Sequence, residues 1–339
     1  MAQFDQPDAA VTIFDVAQEA GVSYATVSRV LNNKAHVRPE KREAVLRAIS
    51  RLGYVVNQQA RSLAGGRSYV VGLLVPGLGN SYLGAIARGV DEALDAANYD
   101  LMLYTSHRAK EPTYVAAISR GLADGLLLVL PRLAHAYLES LQRQNFPYML
   151  IDHQGLGDYH HSIGAANHQG AYEATRYLIE LGHRRIGFIT GTMELGCSVD
   201  RLAGYQAALT EFGIAVDPAL IYEGDFSQSQ GFVGGQTLLA LDEPPTAVFA
   251  SNDVMAFGVM EAARTRGLQL PEHLSVIGFD DIPQAAQIHP SLTTVHQPLE
   301  EMGRIATETL LSLIHNPQFV VERIVLPTKL VVRDSCSPR

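Results

Sequence analysis

Seven short stretches of the sequence combine hydrogen-bonding side chains with aromatic rings. They are Pro76-Gly77-Leu78-Gly79-Asn80-Ser81-Tyr82, Pro131-Arg132, Asp152-His153, Gly191 to Arg201, Asp225-Phe226, Ser251-Asn252-Asp253 and Asp280-Asp281. Each follows an apolar run of strand character. Asp and Asn accept from and donate to neighbouring hydroxyls, Arg presents a forked donor, and a Tyr or Phe ring covers an apolar ring face. Such a set suits a ligand ring bearing several hydroxyls. Asp253 and Asp281 also have a plain structural use, Asp253 as a helix N-cap. A hydrolase would need paired catalytic carboxylates or a nucleophile with its base. No Gly-x-Ser-x-Gly, P-loop or post-strand Gly-x-Gly-x-x-Gly occurs, so no enzyme is expected. His153, His160, His161 and His168 cluster with Asp152 and Asp158, but none of them has the i, i+4 spacing of helical metal ligands. Solvated loop histidines are expected there, with no metal and no cofactor. Cys197 and Cys336 are too few for a disulfide framework and read as buried or idle thiols.

A second set lies in residues 12–38. Ile13, Val16, Ala17 and Ala20 repeat at i, i+3, i+4, i+7, one buried face of a helix that Thr12 would cap. Gly21 can take the left-handed conformation that stops it, and Ser23 can cap a second helix. In that second helix Val27, Val30 and Leu31 point inward. Ala25, Ser28, Arg29 and Asn32 lie on the opposite face, with Tyr24 and Thr26 beside them. Val37-Arg38-Pro39-Glu40 opens a third helix with Val45, Ile49 and Leu52 facing the core, and Gly53 ends it. Two helices at this spacing with a glycine turn point to a helix-turn-helix whose second helix meets base edges in the major groove.

The elements that must position the first set alternate in type. Apolar runs occur at Tyr69–Val75, Asp100–Tyr104, Gly125–Leu130, Tyr148–Ile151, Arg185–Thr190, Ala219–Glu223, Ala247–Ala250, Ser275–Phe279 and Thr293–Val295. Amphipathic segments lie between most of them: Tyr82–Ala97, Gln169–Leu181, Arg201–Phe212, Asp253–Arg266 and Leu299–Ile314. That alternation predicts parallel sheets covered by helices. So many strands exceed one comfortable sheet, so two lobes are expected. In such sheets a ligand sits beyond the carboxyl ends of the strands, where the polar stretches fall. The net charge of −9 is unevenly spread: residues 11–66 carry eight Lys/Arg against four Asp/Glu, and residues 67–339 eighteen against twenty-nine. A small basic module tethered to a large acidic one suits contact with DNA at one end. No apolar run is long enough to span a bilayer, and residues 1–10 lack the features of a signal peptide, so a cytoplasmic location with no membrane partner is expected.

Thr12-Ile13-x-Asp15-Val16-Ala17-x-x-Ala20-Gly21-Val22-Ser23, followed by Thr26-Val27-Ser28-Arg29-Val30-Leu31-Asn32 and Leu52-Gly53-Tyr54, resembles the signature of the lactose/galactose repressor (LacI/GalR) family. The resemblance runs through essentially the whole chain after residue 10. It implies a small all-α helix-turn-helix DNA-binding headpiece plus a two-lobed α/β periplasmic-binding-protein-like effector domain. The expected organisation is a disordered N-terminus at 1–10, a headpiece at 11–56, a hinge at 57–66, and an effector-binding and dimerisation domain at 67–339. Its N-lobe would hold about 67–164 and 297–325, and its C-lobe about 165–296 and 326–339. DNA contacts are expected from Thr12, Ser23, Tyr24, Ala25, Thr26, Ser28, Arg29 and Asn32, and from Asn57, Ala60, Arg61 and Leu63 of the hinge. The resemblance makes Leu63 a minor-groove wedge that bends the duplex. Effector contacts are expected from Tyr82, Arg132, Asp152, Arg201, Phe226, Asn252 and Asp280. Three positions depart from the family: His153 stands for a frequent Arg, Ala166-Asn167 for Asp-Asn, and Ser81 for a common Pro. The implied function is a homodimeric repressor of carbohydrate-utilisation genes that binds a pseudo-palindromic operator under control of a mono- or disaccharide. The short C-terminal stretch after Asp334 leaves no room for a tetramerising helix. The alternatives are a purine or nucleoside effector, a corepressor-dependent regulator and, in another class, a sugar-transport receptor.

Overall fold

The computed structural model describes residues 11–31, 37–54, 67–79, 81–105, 122–130, 134–152 and 161–339. The chain divides into two compact units, Met1–Ser68 and Tyr69–Arg339. Among the described residues no helix is long and apolar enough to cross a membrane.

The first unit holds α1 (Ile13–Glu19), α2 (Tyr24–Leu31) and α3 (Pro39–Leu52). Thr12 caps α1 in a reciprocal capping box with Asp15, which satisfies donors at both positions. Gly21 and Gly53 take left-handed φ values of +63° and +60°, where a Cβ would be strained. The core is small: Val16, Ala17, Val27, Val30, Val45 and Ala48, with Ile13, Ala20, Leu31, Ile49 and Leu52 packed at its margin. Each fully buried valine contributes roughly 1.5–3 kcal/mol.

The second unit contains two six-stranded sheets. The first has β1 (Val70–Val75), β2 (Asp100–Thr105), β3 (Gly125–Val129), β4 (Tyr148–Ile151), β5 (Ser162–Ala165) and β11 (Ile324–Leu326), in the order β11-β5-β4-β3-β1-β2, all parallel. The second has β6 (Ile186–Thr190), β7 (Ile221–Glu223), β8 (Ala247–Ala250), β9 (Ser275–Asp280), β10 (Thr293–His296) and β12 (Lys329–Val331). Its order is β12-β10-β9-β8-β6-β7, and only the β10–β12 pair is antiparallel. The helices are α4 (Ser81–Ala97), α5 (Ala134–Arg143), α6 (Asn167–Glu180), α7 (Gly196–Glu211), α8 (Gln228–Leu238), α9 (Asp253–Thr265) and α10 (Leu299–His315).

The chain leaves the first sheet after Ala165, which pairs with Leu326, and returns when α10, following β10, packs on that sheet's core through Met302, Ala306 and Leu310. It crosses a third time between β11 and β12. Ala165 and Leu326 therefore belong to the first sheet, one residue beyond the expected lobe boundaries. Five elements have no counterpart in the sequence reading: β5, β11, β12, α5 and α8. The three strands are three or four residues long, too short for a period to show. Helix α8 reads Gln-Ser-Gln-Gly-Phe-Val-Gly-Gly-Gln-Thr-Leu, a poor helix former. Its Gly231 lies so close to the α9 backbone at Met255 that a Cβ would collide, so packing rather than propensity makes the helix. Helix α7 starts at Gly196 rather than Arg201, which puts Cys197 one turn before Arg201 on the same helix.

Candidate functional site

The polar stretches converge on one cavity of about 450 Å³ in the second unit. Strand ends supply Asp152 after β4, Asp225 and Phe226 after β7, Asn252 after β8 and Asp280 at the end of β9. Helices add Tyr82 from α4, Cys197 and Arg201 from α7, and Gln228 from α8. This is the carboxyl-end position that parallel sheets leave open, because each strand there turns away to its helix. Three of these residues hold positive φ: Asp152 at +53°, Phe226 at +69° and Asp280 at +116°. None is glycine, so each stores backbone strain that the surrounding packing must hold.

The cavity is electrostatically organised around one guanidinium. Arg201 is 2% exposed. Its Nε donates to Asn167 Oδ1 at 2.7 Å, Nη1 donates to the Ser251 carbonyl, and Nη1 lies 3.7 Å from Asp280 Oδ1. The guanidinium also sits 3.8 Å over the Phe279 ring. Gln297 Nε2 donates to Asp280 Oδ1 at 2.7 Å. Burial pushes the Asp280 carboxyl up to about 7, against the opposing pull of Arg201 and the Gln297 hydrogen bond. Tyr82 Oη donates to Asp152 Oδ2 at 2.6 Å, and Asp152 Oδ1 is buried with no hydrogen-bond partner among the described residues. Burial, then the neighbouring Asp152 charge, raises the Tyr82 phenol well above its ordinary range, so it stays a donor. An acceptor buried without a donor costs roughly 1–3 kcal/mol, which a ligand hydroxyl would recover.

Some expected roles divide differently in the structure. Asn252, not Asp253, caps α9: its Oδ1 accepts from Met255 N at 2.9 Å and its Nδ2 donates to the Phe226 carbonyl. Asp253 instead ties the turn after β9 to strand β10, accepting from Ile282 N and Thr294 Oγ1, and burial raises its carboxyl well above the usual range. Asp281 is structural, paired with Arg333 at 2.6 Å and with His296 at 3.0 Å. Burial pushes its carboxyl up, but those two partners outweigh it and hold it low. Cys197 is buried, yet it lines the cavity; burial, then the Asp152 charge, pushes its thiol up to about 12, so it faces a ligand as an uncharged apolar group. Asn167 and Gln297 escaped the sequence reading as site-building residues, and Gly191 was read only as the start of a strand-end stretch, not as the seat of a neighbouring ring. Gly191 could have been suspected only from the fold: a Cβ there would run into the Phe226 ring. Arg132, His153 and His160 lie outside the described residues, as does Asn80. Among the described residues no three His, Cys, Asp or Glu side chains are grouped to hold a metal.

In the first unit Tyr24, Ala25 and Arg29 are exposed and Thr26 and Ser28 half-buried on α2. The Ser23 hydroxyl lies 3.0 Å from that of Thr26 and caps the helix by accepting from Thr26 N. The Thr12 hydroxyl donates to Asp15 Oδ2 at 2.7 Å, so its first role is the cap. Arg51 is paired with Glu19 and Arg47 with Glu43. Asn32 and the hinge residues Asn57, Ala60, Arg61 and Leu63 lie outside the described residues.

Residues 12–57 match the family model of bacterial regulatory proteins of the lacI family, and residues 175–336 match a periplasmic binding protein-like domain. Catabolite control protein A of Priestia megaterium is 36% identical over 96% of this chain and 99% of its own length. The chain belongs to the lacI family. Another lacI-family relative, the HTH-type transcriptional repressor PurR of Erwinia tasmaniensis, is 37% identical over 96% of each chain. A lac repressor dimer bound to operator and the anti-inducer ONPF aligns with a TM-score of 0.87, at 30% identity over 97% of this chain and 100% of that one. The complex of the transcriptional regulator CelR with cellobiose aligns at 0.75, with 33% identity over 96% and 99%. As a lacI-family member the protein is a DNA-binding transcriptional regulator.

Proposed function

We propose that the protein represses carbohydrate-utilisation genes by binding a pseudo-palindromic operator as a homodimer, and that a mono- or disaccharide in the cavity switches its affinity. The observation that carries the sugar reading is the buried Asp152 Oδ1, which has no hydrogen-bond partner among the described residues, in a cavity also lined by Asp225, Asp280, Asn252, Arg201 and Phe226. Paired carboxylates and an amide satisfy adjacent hydroxyls, and Phe226 covers the apolar face of a pyranose. The cellobiose in the complex of one structural relative agrees with this chemistry. Tyr24, Ala25, Thr26, Ser28 and Arg29 would face the major groove, with Leu63 in the minor groove and Arg61 on the phosphates. The cavity turns nothing over in this reading, and the protein acts on DNA in the cytoplasm.

Effector binding changes DNA affinity only by its differential affinity for two lobe arrangements. The test is calorimetric titration of the full chain with a panel of neutral mono- and disaccharides, with purine bases and nucleosides as the competing class. A saturable sugar signal that Arg201→Ala abolishes, while operator binding survives, is the expected result. Losing a charge-assisted hydrogen bond costs on the order of 1.5–3 kcal/mol, or more than tenfold in affinity. Saturation by a purine and by no sugar would overturn the sugar assignment.

A further inference from the structure

Phe14 contributes little to the fold. It is the second residue of α1, and the buried face of that helix is Val16 and Ala17. The side chain is 67% exposed. An exposed apolar residue alone needs no explanation, but this ring is organised: it stacks on Tyr24 with centroids 5.3 Å apart and planes 20° from parallel. Tyr24 is 42% exposed and opens α2, the turn from which side chains reach base edges. Two helices thus each lend one ring to a single slab beside exposed Ala25 and Arg29. The polar groups nearest in sequence are already engaged with one another: Thr12 with Asp15, and Ser23 with Thr26. The faces of this slab are apolar, and only the Tyr24 hydroxyl at its edge can hydrogen-bond. In the major groove only thymine presents an apolar group, its 5-methyl.

We propose that Phe14 and Tyr24 act as one two-ring surface that reads a thymine methyl in the major groove, with Phe14 holding the Tyr24 ring in position. This rests on the DNA-binding function. A lone tyrosine at a helix start samples several χ1 wells, and a ring stacked against it removes that freedom before the duplex arrives. Phe14 is therefore a positioning residue for Tyr24, outside the recognition helix itself.

The test uses the full chain and a duplex selected from random sequence. Each thymine is replaced in turn by deoxyuridine, which lacks only the methyl. The wild type should lose about fourfold in affinity at one or two positions, the value of one buried methyl-sized group. Phe14→Ala should bind the selected duplex about tenfold more weakly, lose the deoxyuridine sensitivity at those positions, and bind random duplex as the wild type does. Phe14→Tyr should restore both properties. In a Tyr24→Ala background Phe14→Ala should add little, because the two rings work as a unit. Circular dichroism checks that α1 remains; Phe14→Leu, which keeps bulk without a ring plane, gives the same comparison should the alanine variant melt early. Indifference of the wild type to every deoxyuridine, or losses that simply add in the double variant, would overturn the proposal. Failure of the selection to enrich any sequence would overturn the DNA-reading function itself, and the pair with it.

Discussion

Asp280 sits between Arg201 and Gln297, at a backbone φ that a non-glycine residue rarely holds. Its carboxyl is raised to about 7 from 3.8, so the folded state resists its ionisation. A group raised in this way stabilises the fold fully below its ordinary pKa, and that contribution is lost as pH rises through the folded value. Asp280→Asn keeps the acceptor for Gln297 and removes the charge. Relative to this variant, the wild-type thermal midpoint should fall as pH climbs from about 4 to 7, while the variant loses effector binding. Parallel midpoint curves for the two proteins would contradict the assignment. Gly191 makes a second prediction at this scale. Gly191→Ala should push the Phe226 ring out of place and weaken effector binding by about tenfold or more, with little loss of operator affinity. Titration calorimetry beside an operator-binding assay separates the two.

At the scale of elements, local signals and packing share the work unequally. Helix α1 is specified locally: Thr12 and Asp15 exchange hydrogen bonds across its first turn. Thr12→Ala should lower the stability of the first unit by about 1 kcal/mol, read as a shift of its denaturation midpoint. An unchanged midpoint would mean that Val16 and Ala17 alone hold the helix. Helix α8 is the opposite case. Its glycines disfavour it in isolation, and it exists because Gly231 allows α8 and α9 to pack closely. Gly231→Ala raises helix propensity yet should destabilise the second unit, since the added carbon meets the Met255 backbone rather than a movable side chain. A rise in thermal midpoint would refute this.

Across the second unit, residues distant in sequence meet at its C-terminal stretch. His183 is buried, with Nδ1 2.8 Å from Thr246 Oγ1 and Nε2 3.0 Å from Ser275 Oγ and 3.2 Å from the Ser337 carbonyl. Arg339 N donates to the Leu181 carbonyl nearby. Burial holds the imidazole pKa below 6.5, against the opposing Ser337 hydrogen bond and with a further push from Arg339. The neutral form is the one the fold favours. Its contribution is present above about pH 6.5 and is lost as pH falls through the depressed value. Acidification should therefore lower the melting temperature of the wild type more steeply than that of His183→Asn, and scanning calorimetry across that range checks it. Equal slopes would place the acid sensitivity elsewhere.

The headpiece was legible from residues alone because its determinants are local: a cap at Thr12, a left-handed turn at Gly21, and an apolar period that puts Val16, Val27 and Val45 inside. The alternation of β1 to β4 and β6 to β10 with α4, α6, α7, α9 and α10 was legible for the same reason, since a period of two or of about 3.6 survives in any order of assembly. The cavity was legible as a set of strand-end residues. What those residues do to one another was not. Tyr82 and Asp152 are 70 positions apart, Arg201 and Ser251 are 50, and only tertiary packing brings each pair within bonding distance. The transfer of the α9 cap from Asp253 to Asn252, the support of Arg201 by Asn167 and the seating of Phe226 on Gly191 follow from the same fact. Composition and spacing determine which chemical groups a strand end carries. The three crossings between the sheets decide which groups face one another, and burial then sets their charge, because desolvation depends on neighbours that no local window contains.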